Sequence, residues 1–225
     1  AIDKDGQAYP LTQGTFIKYL ESDDRELRAS AFRNVYKAYG AHNNTLGATL
    51  AGEVKKNVFN ARTHHYRSAR ERALSNNHIP EAVYDNLIKT VHKYLPLLHR
   101  YTKLRQELLG LDDLKMYDLY TPLVKDVKFE MPYEEAKSWM LKALEPMGEE
   151  YLNVVKEGLD NRWVDVYENK GKRSGGYSSG GHLTNPFILL NWSDTVSDLY
   201  TLVHEFGHSA HSYFSRQNQP SNLSD

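Results

Sequence analysis

The chain has no cysteine. Disulfides, thiolate metal ligands and cysteine nucleophiles are therefore excluded. The composition fits a reducing, cytoplasmic setting. Long apolar runs are also missing. No stretch approaches the roughly 18 residues needed to cross a bilayer, so no membrane partner is expected. Nor is there an excess of charge of either sign. The 28 Lys+Arg and 29 Asp+Glu leave a formal net charge of −1, which removes the basic footprint of a nucleic-acid binder. The first residues, Ala1-Ile2-Asp3-Lys4-Asp5, hold no apolar segment of a secretory signal. They hold no initiator Met either, which reads as a processed or truncated start. Three N-x-S/T triplets begin at Asn43, Asn191 and Asn222. Without a secretory signal they read as chance.

What is present is ordinary globular material. The 225 residues are 40% hydrophobic and 25% charged, enough for one large domain or two small ones with a sizeable core. Most of the chain reads as helix. Thr12 is placed to cap a short helix ending near Glu21, and Ser22 the next, with Asp23, Asp24 and Glu26 at its positive end. Ala29, Phe32, Tyr36 and Tyr39 form one stripe, and Gly40 is a natural stop. Residues 44–73 read as one further helix, with His64 and His65 on different sides. Pro80 opens the next, carrying Val83, Leu87, Val91, Leu95 and Leu98 on one face. Pro96 should kink or split it. Residues 116–124 read as an extended connector, and 133–158 as a helix bent near Pro146 and Gly148.

After Gly158 the pattern changes. Arg162 to Val166 alternates as a strand does, and Pro186 to Trp192 reads as a short apolar strand. Between them Gly171 to Gly181 is rich in glycine and serine and reads as a mobile loop near the substrate. A last helix, capped by Asp194 or Ser197, runs to about Arg216. The expected class is mainly α, with a small strand-loop-strand element ahead of the final helix.

That helix carries His204-Glu205-Phe206-Gly207-His208. Residues four apart turn about 400°, so both imidazoles project from one face, within reach of a single Zn²⁺. Glu205 is displaced around the helix. It reaches a zinc-activated water rather than the ion and suits a general base for peptide hydrolysis. Gly207 costs helix stability, which suggests a close approach to the backbone there. A catalytic zinc needs a third protein ligand. His211 lies about 4.5 Å further along the axis than His208, too far to share the ion. His211 and Phe214 also break the metzincin pattern. A carboxylate from a later helix is left, and the sequence stops at Asp225 before one could form. Two other motifs are weak. Gly176-Tyr177-Ser178-Ser179-Gly180 matches the serine-hydrolase elbow without its strand-turn-helix context. Gly171-Lys172-Arg173-Ser174 lacks the earlier glycine and the terminal Ser/Thr of a phosphate loop.

Gly171 to Gly175, Asn185 to Trp192 and Thr201 to Phe214 together resemble oligoendopeptidase F, the bacterial branch of the thimet-oligopeptidase-like M3 metallopeptidases. Tyr19 to Ser22, Leu98 to Tyr101, Tyr117 to Tyr120 and Arg162 to Val166 extend the likeness over nearly the whole chain. The resemblance implies a zincin-like, mostly helical, two-lobed enzyme closing around a channel that admits short peptides. It matches His204 and His208 to two zinc ligands and Glu205 to the general base. The third ligand and the oxyanion donors have no counterpart in this sequence. Residues 1–40 then read as the end of an N-terminal helical region and 41–225 as the N-terminal part of the catalytic domain. One Zn²⁺, short peptide substrates and the remaining segments of the same enzyme are the implied partners. Substrate contacts are expected at Gly175, Gly176, Tyr177, His182, Leu189 and His211. Two other readings stay open: a non-catalytic peptide-binding module, and a zinc hydrolase acting on a non-peptide amide.

Overall fold

A computed structural model describes residues 1–124 and 129–221. The triplet beginning at Asn222 lies outside them. Helix dominates: α1 (Phe16–Leu20), α2 (Arg25–Ala41), α3 (Asn43–Thr63), α4 (Ala69–Ser75), α5 (Glu81–Leu108), α6 (Tyr133–Ala143), α7 (Glu149–Asp160) and α8 (Val196–Asn218). Three short strands, β1 (Val164–Asp165), β2 (Tyr177–Ser179) and β3 (Phe187–Leu189), form one sheet. The fold is mainly α with a small sheet, as expected. None of the described helices is long and apolar enough to cross a membrane. The chain divides into two units, Ala1–Gln7 with Asp23–Leu123, and Ala8–Ser22 with Val124–Asp225.

The first unit contains α2 to α5. The cap of α2 is Asp24, not Ser22: its Oδ1 accepts from the amides of Glu26 (2.9 Å) and Leu27 (3.4 Å). The expected helix over 44–73 breaks after Thr63. His64 closes α3, His65 takes a left-handed φ of 61°, and Ser68 caps α4 by accepting from the Glu71 amide at 3.0 Å. Pro80 stands at the start of α5 as expected. Pro96 does not split that helix, since losing one backbone bond does not end a 28-residue element. The apolar face of α5 lies outward: Val83, Leu87, Val91 and Leu98 are all more than half exposed.

Residues 116–118 form a 3₁₀ turn rather than an extended connector. This turn buries Asp118 completely. Its carboxylate accepts from Arg25 Nε (3.2 Å) and Nη2 (3.0 Å), Arg28 Nη2 (2.8 Å) and the Lys115 amide (2.9 Å). Arg105 adds bonds to the carbonyls of Asp118 and Thr121. Burial works against the anion. The guanidiniums of Arg25 and Arg28 and the Lys115 amide outweigh it and hold Asp118 below its usual range.

The second unit packs α6, α7 and α8 with the sheet around one core. Met131, Ala136, Met140, Val155, Ile188, Leu190, Trp192, Leu202 and Phe206 are its buried centre. In the sheet β3 is central. It runs parallel to β1 (Val164↔Ile188) and antiparallel to β2 (Ser178↔Ile188). β2 falls inside the segment that composition reads as loop, so that expectation is corrected. Gly158 lets α7 touch α8. A Cβ there would lie 2.7 Å from both Phe206 and Trp163. Tyr133 packs edge-on against Trp192 at 5.2 Å. Burial, with the nearby Glu134 charge, pushes its hydroxyl to about 12.

Candidate active site

α8 starts with a capping box that neither Asp194 nor Ser197 makes. Thr195 Oγ1 accepts from the Asp198 amide at 3.2 Å, and Asp198 Oδ2 accepts from the Thr195 amide at 2.9 Å. Asp198 Oδ2 also takes the Ser193 amide at 3.0 Å, so the end of the sheet region and the helix start are tied together. Leu202 and Phe206 then anchor the helix in the core, both fully buried. The opposite face is turned outward and carries the histidines.

His204 and His208 are exposed, with ring centroids 4.7 Å apart and planes at 80°. Their Nε2 atoms converge to 3.1 Å. Two bonds of about 2.0–2.1 Å from one ion span roughly this distance, so the pair fits two ligand positions of a metal such as zinc. Glu205 is 7% exposed. Among the described residues its carboxylate has no hydrogen-bond or ion-pair partner. A carboxylate so placed suits an adjoining cation and its water. Among the described residues, however, no cluster of three or more His, Cys, Asp or Glu could complete a metal shell.

The other expected positions lie before and on β2, in the turn after it, on β3 and on α8 itself. Gly175 takes a φ of +91° and Gly176 presses on α8. Tyr177 is half exposed on β2, opposite Leu189. Leu189 lies in the central strand, paired with Asp165 on one side and Tyr177 on the other. His182 is exposed in the turn after β2, and His211 is exposed on α8 three residues past His208. Gly207 does not mark a close approach: nothing described lies within 4 Å of a Cβ built there.

The two weak motifs lose their chemistry. Ser178 sits mid-strand and shares a 2.8 Å hydrogen bond with Ser209, not with a histidine. Lys172 folds back, its side chain 4% exposed, onto the carbonyls of Asp165 (3.1 Å) and Tyr167 (2.7 Å) and the Asp165 carboxylate (3.2 Å). It is not free for a phosphate. The glycine-rich loop is also pinned rather than free. Asn191 Nδ2 donates to the carbonyls of Arg173 and Gly175, both at 2.9 Å. Its amide is thus engaged within the fold.

Sequence reasoning missed the contact between β2 and α8. Gly176, Ser178 and Gly180 recur at the strand period and are all small. That alternation was the available signal.

The sequence profile of Peptidase family M3 matches residues 18–224. The chain belongs to peptidase family M3. Among its M3 relatives, Oligopeptidase PepF of Bacillus subtilis is 62% identical over 218 residues, covering 97% of this chain and 32% of that protein. Group B oligopeptidase PepB of Streptococcus agalactiae is 54% identical, covering 96% of this chain and 36% of that protein. The crystal structure of oligoendopeptidase-F from Enterococcus faecium superposes with a TM-score of 0.58 at 41% identity, covering 95% of this chain and 32% of the other. This M3 chain therefore spans about a third of the length of these relatives.

Proposed function

We propose that this chain is part of a zinc metalloendopeptidase that hydrolyses short oligopeptides. The observation that carries the reading is the convergence of two imidazole nitrogens, 3.1 Å apart, on the residues flanking Glu205, which is itself 7% exposed. Membership in peptidase family M3 and relatives named as oligopeptidases support it. His204 and His208 would hold the ion through Nε2. Zinc, when bound, supplies Lewis acidity and lowers the pKa of a water toward about 7. Glu205 would take the proton of the attacking water at its carboxylate and return it to the leaving amine. β2 is the sheet's edge strand beside α8, and its free edge would pair with an extended peptide backbone. Tyr177 flanks that edge, and His182 and His211 would offer polar contacts nearby.

We assign the third ligand and the oxyanion donors to parts of the enzyme that this chain does not contain. Alone, the chain would bind zinc weakly and turn over poorly. Residues 41–225 are proposed as part of the catalytic domain and 1–40 as the end of a preceding helical region. A cytoplasmic setting is proposed from the composition, since a fold without cysteine needs no oxidising compartment.

The test uses the full-length enzyme and a short fluorogenic peptide. Glu205→Gln should lose activity by on the order of 10²–10⁴-fold while its zinc content stays at the wild-type level. A variant that kept full turnover would remove Glu205 from the mechanism. Stoichiometric peptide binding without turnover in the full-length wild type would instead favour the binding-module reading.

A further inference from the structure

Thr201, Glu205 and Ser209 stand four residues apart and so share one row of α8. Glu205 and Ser209 on that row are both buried. Gly176, Ser178 and Gly180 stand two apart, so in an extended segment they face one side. That side meets α8 at three points. A Cβ on Gly176 would lie 2.8 Å from Thr201 Cγ2. Ser178 Oγ is 2.8 Å from Ser209 Oγ. Arg216 Nη2 donates to the Gly180 carbonyl at 2.9 Å. The edge strand is therefore fastened to the helix one turn before Glu205 and one turn after it. At Gly176 the absence of a side chain makes room for the Thr201 methyl, and at Gly180 the long Arg216 side chain spans the gap. The serine pair is the directional link between them.

We propose that the Ser178–Ser209 hydrogen bond is a positioning element for peptide hydrolysis. It sets where β2, and the substrate backbone that β2 pairs, lies relative to Glu205. This rests on the peptidase reading above. Two hydroxyls are an expensive way to fill a helix–strand contact, because each must find a partner when buried. Two alanines would fill it as well. What the hydroxyls add is a fixed distance and direction. Misplacement of a bound substrate by about 1 Å costs up to roughly 10²-fold in rate.

The full-length enzyme tests this with Ser209→Ala, Ser178→Ala, the double variant and Ser178→Thr. kcat and KM are read on a short internally quenched peptide, with zinc content and melting temperature measured alongside. The expected result is a kcat lowered by roughly tenfold or more in each alanine variant, with zinc retained and the enzyme folded at the assay temperature. The double variant should lose no more than either single one. Ser178→Thr, which keeps the hydroxyl on a strand-favouring residue, should recover kcat. The role is overturned if both alanine variants keep kcat within about twofold of wild type, or if their losses multiply in the double variant. With Glu205→Gln inactive, that result removes the positioning role alone. An active Glu205→Gln removes the peptidase reading and this proposal together. If Ser209→Ala fails to fold, Ser178→Ala on the edge strand carries the same test.

Discussion

Replacing Asp118 by Asn removes one charge and changes almost no volume, yet it should be among the most damaging substitutions in the first unit. Oδ1 of Asp118 faces Arg25 Nε and Arg28 Nη2, and Oδ2 faces Arg25 Nη2 and the Lys115 amide. An amide group in either orientation sets a donor against two donors. Arg28, its side chain 4% exposed, then loses the charge of its Asp118 partner in a buried place, whereas Arg25, at 40%, rehydrates. Breaking a buried pair from one side costs about 3–5 kcal/mol. Because only one guanidinium is buried, the loss should fall near about 3 kcal/mol, or roughly 6–12 °C in melting temperature for a chain of this size. Urea titration at neutral pH measures it directly. The pH dependence is a second check. Asp118 is held below its usual range in the fold. Its contribution is therefore complete above the unfolded value of about 3.9 and fades as pH falls through the lower folded value. Wild type and Asp118→Asn should thus converge in strong acid. Equal stability at pH 7, or a gap that persists unchanged in strong acid, would refute this account of the ion pair.

Two glycines on the helices of the second unit should respond with opposite signs. Gly158→Ala forces a methyl against the Phe206 and Trp163 rings, both buried, and should destabilise by about 1–3 kcal/mol. Gly207→Ala meets nothing described within 4 Å and should raise the chain's melting temperature, with a gain of up to about 1 kcal/mol from helix propensity. Alkaline spectrophotometric titration should find Tyr133 among the last tyrosines to ionise, near 12. Its folded pKa is raised, so its stabilising effect is complete below about 10 and lost as pH climbs through the folded value. Tyr133→Phe should flatten that alkaline loss. In the full-length enzyme, His204→Ala and His208→Ala should each lose zinc on dialysis, whereas His211→Ala should retain it. Equal retention in all three variants would contradict the assignment of the ligand pair.

The part of the site that the sequence displays is the part set by local geometry. A four-residue step on a helix fixes where two imidazoles point, whatever surrounds them, so His204 and His208 were legible from spacing alone. β1 and β3 were legible for the same reason, since alternation and apolar runs are local signals. β2 was not, because Tyr177-Ser178-Ser179 is only three residues long and stands between glycine pairs, too short a run to show alternation. It exists through pairing with β3 and contact with α8, and both are long-range. Caps misled in a similar way. Ser22, Asp194 and Ser197 have suitable side chains, but Asp24 and Thr195 occupy the extended backbone positions from which a side chain reaches the free amides. The outward apolar face of α5 shows the limit of periodicity. It predicts that residues share a face and does not say what covers that face.

Asn191 orders a segment whose composition favours disorder. Glycines and serines give up much chain entropy when fixed, and here a single amide bridges Arg173 and Gly175. Because that amide sits just past β3, this closure waits until the sheet is in place. The stretch flanking the histidine helix should therefore be the last piece of the second unit to set during folding and the first to loosen on warming. Heating should then raise amide exchange in this segment before any loss of helix content.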